Sequence, residues 1–137
     1  MGLILDTSAL VEIERAGEGL APKSFERETI YLPAVVWAEA LIGVRLANSA
    51  GRAARRRARL EVIRQLTGIV PFSAEISEHY ADIFSELHTG GHLIPQNDIA
   101  VAATARFLKA DVLIGPGDEK HFRRVENLGV RVIGAEQ

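Results

Sequence analysis

Two rhythms of apolar residues alternate along the chain. Short β-type runs stand at Leu3–Leu5, Ile69–Pro71, Val112–Ile114 and Val130–Ile133. Each is too brief for a helix, and all but the last, which Arg131 interrupts, lack a polar face, as expected of strands covered on both sides. Between them, apolar residues recur every three or four positions. That spacing predicts helices over Ser8–Ala16, Pro22–Glu28, Ala34–Ala47, Arg52–Thr67, Ala74–His88 and Gln96–Lys109, with a last turn over Glu119–Val125. Pro33 suits the first turn of its helix, Ser73 is placed to cap the helix after it, and Gly90-Gly91 stops the helix ending at His88. Strands that alternate with helices in this way read as an α/β fold with a central parallel sheet.

Four acidic residues interrupt the pattern where burial is expensive. Asp6 directly follows Leu3-Ile4-Leu5, and Asp118 follows Val112-Leu113-Ile114. Glu39 shares a helix face with Val35, Ala38, Ile42 and Leu46; the only other charge in Ala34–Ala47 is Arg45, so that helix reads as nearly all buried. Asp98 heads Asn97-Asp98-Ile99-Ala100-Val101-Ala102-Ala103-Thr104, whose small residues allow close packing and would bring Asp98 near Glu39. Helix capping accounts for Asp6, Asp98 or Asp118 taken singly, and a salt bridge to an arginine is the alternative for Glu39. Taken together, the four are explained at once by a site that holds a hard divalent cation, Mg²⁺ or Mn²⁺, through carboxylate oxygens. Ligands gather at the carboxyl ends of parallel strands, the edge on which Asp6 and Asp118 fall.

Composition narrows the class. A chain of 137 residues, 47% apolar and 25% charged, is the size of one domain spanning 1–137 and buries roughly two thirds of its unfolded surface. The absence of cysteine excludes thiolate metal sites and a cysteine nucleophile. With no signal-type segment and no apolar run near the roughly 20 residues of a membrane span, a soluble cytoplasmic protein is expected. The formal charge of −2 means that any nucleic-acid contact must come from local clusters. Arg52, Arg55, Arg56, Arg57, Arg59 and Arg64 form one, with Arg55, Arg56, Arg57 and Arg59 as candidate RNA-binding residues; a solvated helix packing through Leu60 and Ile63 accounts for the same residues. No phosphate loop or dinucleotide fingerprint is present. His88 and His92 are separated by Gly90-Gly91 and read as flanking a loop, and His121 reads as a surface histidine beside the fourth acid.

The segments Leu3-Ile4-Leu5-Asp6-Thr7-Ser8-Ala9-Leu10, Glu39-Ala40-Leu41-Ile42-Gly43-Val44 and Asn97-Asp98-Ile99-Ala100-Val101-Ala102-Ala103-Thr104-Ala105 resemble the three main motifs of PIN-domain ribonucleases. Within that family the VapC-type toxins of toxin–antitoxin pairs are most similar, and the resemblance runs from about Leu3 to Ile133 in the family's order and spacing. It implies a PIN-like three-layer α/β/α sandwich in which Asp6, Glu39, Asp98 and Asp118 converge as catalytic acids on one or two Mg²⁺ or Mn²⁺ ions. It also implies that Thr7 or Ser8 orients the first carboxylate. The fourth motif departs from the family's pattern of Thr, one residue, then Asn or Asp: Gly115-Pro116-Gly117 precede Asp118-Glu119, so the family's hydroxyl is missing and either acid is a candidate ligand. The implied activity is hydrolysis of RNA phosphodiester bonds, with a cognate antitoxin as partner and a homodimer as the assembly. Two rivals remain at this level. One is a phosphotransferase or phosphatase using Asp6 as nucleophile, weakened because Ser8 stands where such enzymes need a second acid. The other is a non-catalytic binding module whose acids cap helices and pair with arginines.

Overall fold

Strands β1 (Gly2–Leu5), β2 (Thr29–Pro33), β3 (Gly68–Val70), β4 (Asp111–Ile114) and β5 (Val130–Val132) pair in parallel, in the order β3-β2-β1-β4-β5. They belong to a computed structural model that describes residues 2–16 and 27–133. Ile4 of β1 lies between Tyr31 of β2 and Val112 of β4. Leu3, Ile4, Leu5, Val112, Leu113 and Ile114 have no accessible surface, which is why the central strands carry unbroken apolar runs rather than alternation.

Six helices flank the sheet among the described residues: α1 (Thr7–Ala16), α2 (Ala34–Arg45), α3 (Ala50–Gln65), α4 (Ala74–Thr89), α5 (Gln96–Leu108) and α6 (Glu119–Phe122). Helices α1, α2 and α3 touch one another, and α4 packs along α5. Right-handed crossovers, the near-universal hand of parallel units, put these two groups on opposite faces and make three layers. From β1 the chain moves outward through β2 to β3, then returns to the other side of β1 at β4. The carboxyl ends of β1 and β4 therefore flank a topological switch point, where open α/β sheets leave a crevice.

Several sequence expectations are corrected. Strand β2 is absent from the expected strands: Ile30 and Leu32 are buried while Thr29 is exposed, and Pro33 at its end reads in sequence as the start of a helix rather than as part of a strand. Pro33 ends that strand with extended backbone (φ −59°, ψ 142°), one residue ahead of α2 rather than inside its first turn. The helix expected over Pro22–Glu28 falls mostly outside the described residues. Helix α2 is not nearly all buried: only Val36 and Ala40, one turn apart, are fully buried, with Val35, Trp37 and Val44 partly covered against the core, while Ile42 is 56% and Leu46, just past the helix, 77% exposed. Its all-round apolar sequence cannot distinguish a core face from a face left for a partner. The Ser73 cap and the Gly90 stop agree with expectation, and Ser49 adds a cap that was not among those expected. Ser73 accepts from the Ile76 N–H to start α4, Ser49 does the same for Arg52 in α3, and Gly90 follows α4. The small residues of α5 behave as anticipated, since Ala100, Ala102, Ala103 and Ala105 are all buried.

Candidate metal centre

Asp6 leaves β1 and enters α1 at the crevice. It is 2% exposed, and its backbone N–H donates to the Leu113 carbonyl of β4 at 3.0 Å, which pins it beside the neighbouring strand. The Ser8 hydroxyl donates to Asp6 Oδ2 at 2.6 Å and the Ser8 N–H to the same oxygen at 3.2 Å. The carboxylate thus caps α1 while standing at the carboxyl end of β1, so capping and a place at the crevice are compatible for this residue.

The expectation that Thr7 or Ser8 serves the first carboxylate resolves into a division of labour. Ser8 holds Asp6, while the Thr7 hydroxyl donates to Glu39 Oε1 at 2.7 Å. Glu39 is half-buried where α1 meets α2, not submerged in an apolar face. Ser8 also accepts the Gly115 N–H at 2.8 Å, tying the turn after β4 to α1. A Cβ on Gly115 would stand 3.1 Å from both the Ser8 Cβ and the Ser8 carbonyl oxygen, so glycine permits this close approach. Although the fourth motif has no hydroxyl of its own, Ser8 reaches across to that segment.

Asp98 sits in the first turn of α5 but makes no capping bond; Pro95 occupies the cap position. Its Oδ2 instead lies 3.1 Å from His121 Nδ1. Asp118 ends the 3₁₀ turn Pro116–Asp118 and makes no capping bond to α6. Its Oδ1 is 4.0 Å from the same histidine nitrogen. Glu119 turns away, accepting from Arg123 at 3.1 Å on the exposed side of α6, so geometry separates the two candidates for the fourth acid: only Asp118 stands with the others. His121 is the residue that sequence reasoning set aside. Its three-residue offset from Asp118 was the available signal; its contact with Asp98, 23 positions away, had none.

The charges are mutually costly. Burial pushes the Asp6 carboxyl up to about 7; the Ser8 hydrogen bonds oppose this, while Asp118, near enough to share a proton, and the charge of Asp98 add to it. Asp98 is also raised, by burial first and then by Asp118, with Glu39 adding and His121 opposing. Among the described residues no lysine or arginine forms an ion pair with any of the four acids. Arg56 and Arg59 go to Glu14, Arg57 and Arg64 to Glu61, Arg106 to Glu86, Arg123 to Glu119, and Arg131 to Glu28 and Asp111. The arginine pairing that the binding-module rival calls on is thus not found at these acids among the described residues.

The PIN domain family model matches residues 3–128. The chain belongs to the PIN domain family. This PIN domain is 30% identical over 136 residues to Ribonuclease VapC1 of Rickettsia felis, with 99% of each chain covered. Its backbone is similar to that of VapBC2 from Rickettsia felis, solved bound to a DNA fragment from their promoter, at a TM-score of 0.82 and 24% identity, covering 96% of this chain and 98% of that one. It is also similar to VapBC-5 from Mycobacterium tuberculosis, a member of the VapBC family of toxin–antitoxin systems, at a TM-score of 0.73 and 23% identity over 96% and 97% of the two chains. At those identities the solved structures speak for the fold. Membership of the PIN family disposes of the Asp6-nucleophile phosphotransferase.

Proposed function

We propose that this PIN domain is a metal-dependent endoribonuclease and the toxin of a type II toxin–antitoxin pair, with Asp6, Glu39, Asp98 and Asp118 as its catalytic and metal-holding acids. The reading is supported by Asp98 and Asp118 raising the cost of charge on Asp6 at the β1/β4 switch point, with Asp118 and Glu39 acting likewise on Asp98 and no lysine or arginine among the described residues paired with any of them. Such a donor set fits a hard divalent cation, Mg²⁺ or Mn²⁺. When bound, that ion supplies an activated water and stabilises charge on the attacked phosphate. The chain's own part is positioning: Ser8 fixes Asp6 against the turn after β4, Thr7 fixes Glu39, and α5 brings Asp98 across to them. RNA hydrolysis is supported by the VapC ribonuclease relative, and a cognate antitoxin is the partner that the resemblance to VapC-type toxins implies. No described helix is long and apolar enough to cross a membrane, in keeping with action on cytoplasmic RNA. The exposed Ile42 on α2 and Leu46 just past it suit a homodimer or antitoxin contact.

In cells, expression is expected to arrest growth and to create new RNA ends at discrete sites. Co-expression of the product of an adjacent antitoxin-like gene should abolish both, and the Asp98→Asn variant should produce neither. RNA ends identical in cells expressing the parent and Asp98→Asn would defeat the ribonuclease assignment. Cleavage that no adjacent gene product restrains would defeat the toxin assignment alone.

The arginines divide. Glu14 is buried on α1, and Arg56 and Arg59 reach it from α3 at 3.3 and 3.7 Å. Arg57 bonds Glu61 and, with Arg64, lies over the Trp37 ring. Arg55 is exposed and is the strongest of the four as a phosphate contact. Arg55→Gln should lower the salt slope of RNA binding by about one and leave stability unchanged. The double variant Arg56→Gln/Arg59→Gln should instead lose on the order of 3 kcal/mol in urea unfolding, because it leaves Glu14 buried without a partner. An unchanged salt slope for Arg55→Gln would return this helix to a structural role.

A further inference from the structure

We infer that His121 is a nitrogen ligand of the acid centre and turns it toward Mn²⁺ over Mg²⁺, an inference that rests on the metal-centre reading above. The donor atoms of Asp98, Asp118 and His121 all lie within 4.8 Å of one another. His121 Nδ1 is 3.1 Å from Asp98 Oδ2 and 4.0 Å from Asp118 Oδ1. Two donors on neighbouring positions of an octahedral cation stand about 3 Å apart, and donors on opposite positions about 4 Å. The observed spacings fall on that scale, so the imidazole is placed as a member of the ligand set.

Local structure explains how it arrives there. The 3₁₀ turn Pro116–Asp118 runs directly into α6, and the three-residue offset puts Asp118 and His121 on the same side of that turn. Buried Phe122, next in sequence, anchors the segment in the core. The His121 side chain is 25% exposed, so it lines the opening of the site rather than closing it. It is also the one basic side chain within ion-pair distance of these acids among the described residues.

The consequence is chemical selectivity. Mg²⁺ takes oxygen donors and keeps its waters, whereas imidazole nitrogen suits first-row transition ions. Mn²⁺ shares the preference of Mg²⁺ for oxygen but, as a first-row transition ion, accepts an imidazole nitrogen more readily, so one imidazole in the shell shifts the balance toward Mn²⁺. The competing arrangement has Nδ1–H donating to Asp98 and orienting it from outside an all-oxygen shell.

Pulsed electron paramagnetic resonance on the Mn²⁺-loaded protein distinguishes the two. The parent should show ¹⁴N coupling from a directly bound imidazole, and His121→Asn, which keeps an oxygen donor but removes the nitrogen, should lose it. In metal titrations His121→Asn should bind Mn²⁺ at least about tenfold more weakly while Mg²⁺ affinity changes less than about threefold. Circular dichroism on the same samples, together with His121→Gln as a second variant, separates ligand loss from misfolding. Mn²⁺ bound without ¹⁴N coupling, or equal weakening of both ions, would overturn His121 as a ligand and leave the acid centre standing. Failure of the parent to bind Mn²⁺ at all would overturn the centre itself.

Discussion

Asp6→Asn, Glu39→Gln and Asp98→Asn are each expected to lose RNA cleavage by about 10²-fold or more, the scale on which a single preorganised electrostatic group acts, while remaining folded. The reason lies in how each carboxylate is held. Asp6 is gripped by Ser8 at 2.6 Å and Glu39 by Thr7 at 2.7 Å, and Asp98 lies 3.1 Å from His121 Nδ1. The amide replacements are close in volume, so what they remove is charge and ligand strength rather than packing. Asp118→Asn should join them. Glu119→Gln should not, because Glu119 is committed to Arg123. Cleavage kinetics on purified variants, alongside their unfolding curves, check all five; parental rates in any of the first three would break the assignment.

The second large effect is on stability, and its sign runs opposite to that of most acidic residues. The Asp6 carboxyl is held up at about 7 in the folded, metal-free protein, against an ordinary value of 3.8. Between those values the folded state binds the proton and the unfolded state does not, so stability present below about pH 4 is lost as pH rises through 7 and then levels. The loss attributable to this crowded site is on the order of 4 kcal/mol at most, shared among coupled carboxylates. In chelator, urea midpoints should therefore fall from pH 5 to pH 8. Asp6→Asn should be more stable than the parent at pH 8 and should flatten the profile. Saturating Mn²⁺ should remove the fall, since a cation favours the deprotonated ligands that are mutually repulsive without it. A metal-free profile of the same slope in the parent and in Asp6→Asn would show that the acids are not electrostatically coupled in this way.

How much of this was legible in the sequence depended on whether the deciding contact was local. Asp6 and Asp118 could be found because each follows a buried apolar run, and the carboxyl ends of parallel strands are where sites form. Asp98 could be found because a helix of alanines announces close packing. Glu39 was found for a partly mistaken reason: an apolar helix suggested full burial, yet Ile42 and Leu46 are exposed and Glu39 is only half-buried. Local pattern cannot tell a core face from a docking face, because both require the same residues. The roles of Thr7 and Ser8 were undecidable, since both hydroxyls adjoin Asp6 and only the packing of α1 on α2 sends Thr7 to Glu39. His121 was passed over because Asp98 is far from it in sequence. Strand β2 is hard to read because polar Thr29 opens it and Pro33, ordinarily a sign of a turn or a helix start, closes it.

The most direct test of the central claim is cleavage of a defined RNA by the purified protein after exhaustive chelation, followed by return of Mg²⁺ or Mn²⁺ alone. The account predicts no cleavage in chelator, recovery when either ion is restored, and no recovery in Asp98→Asn. Cleavage that persists undiminished in chelator, or that returns equally in Asp98→Asn, would contradict a nuclease built on these four carboxylates.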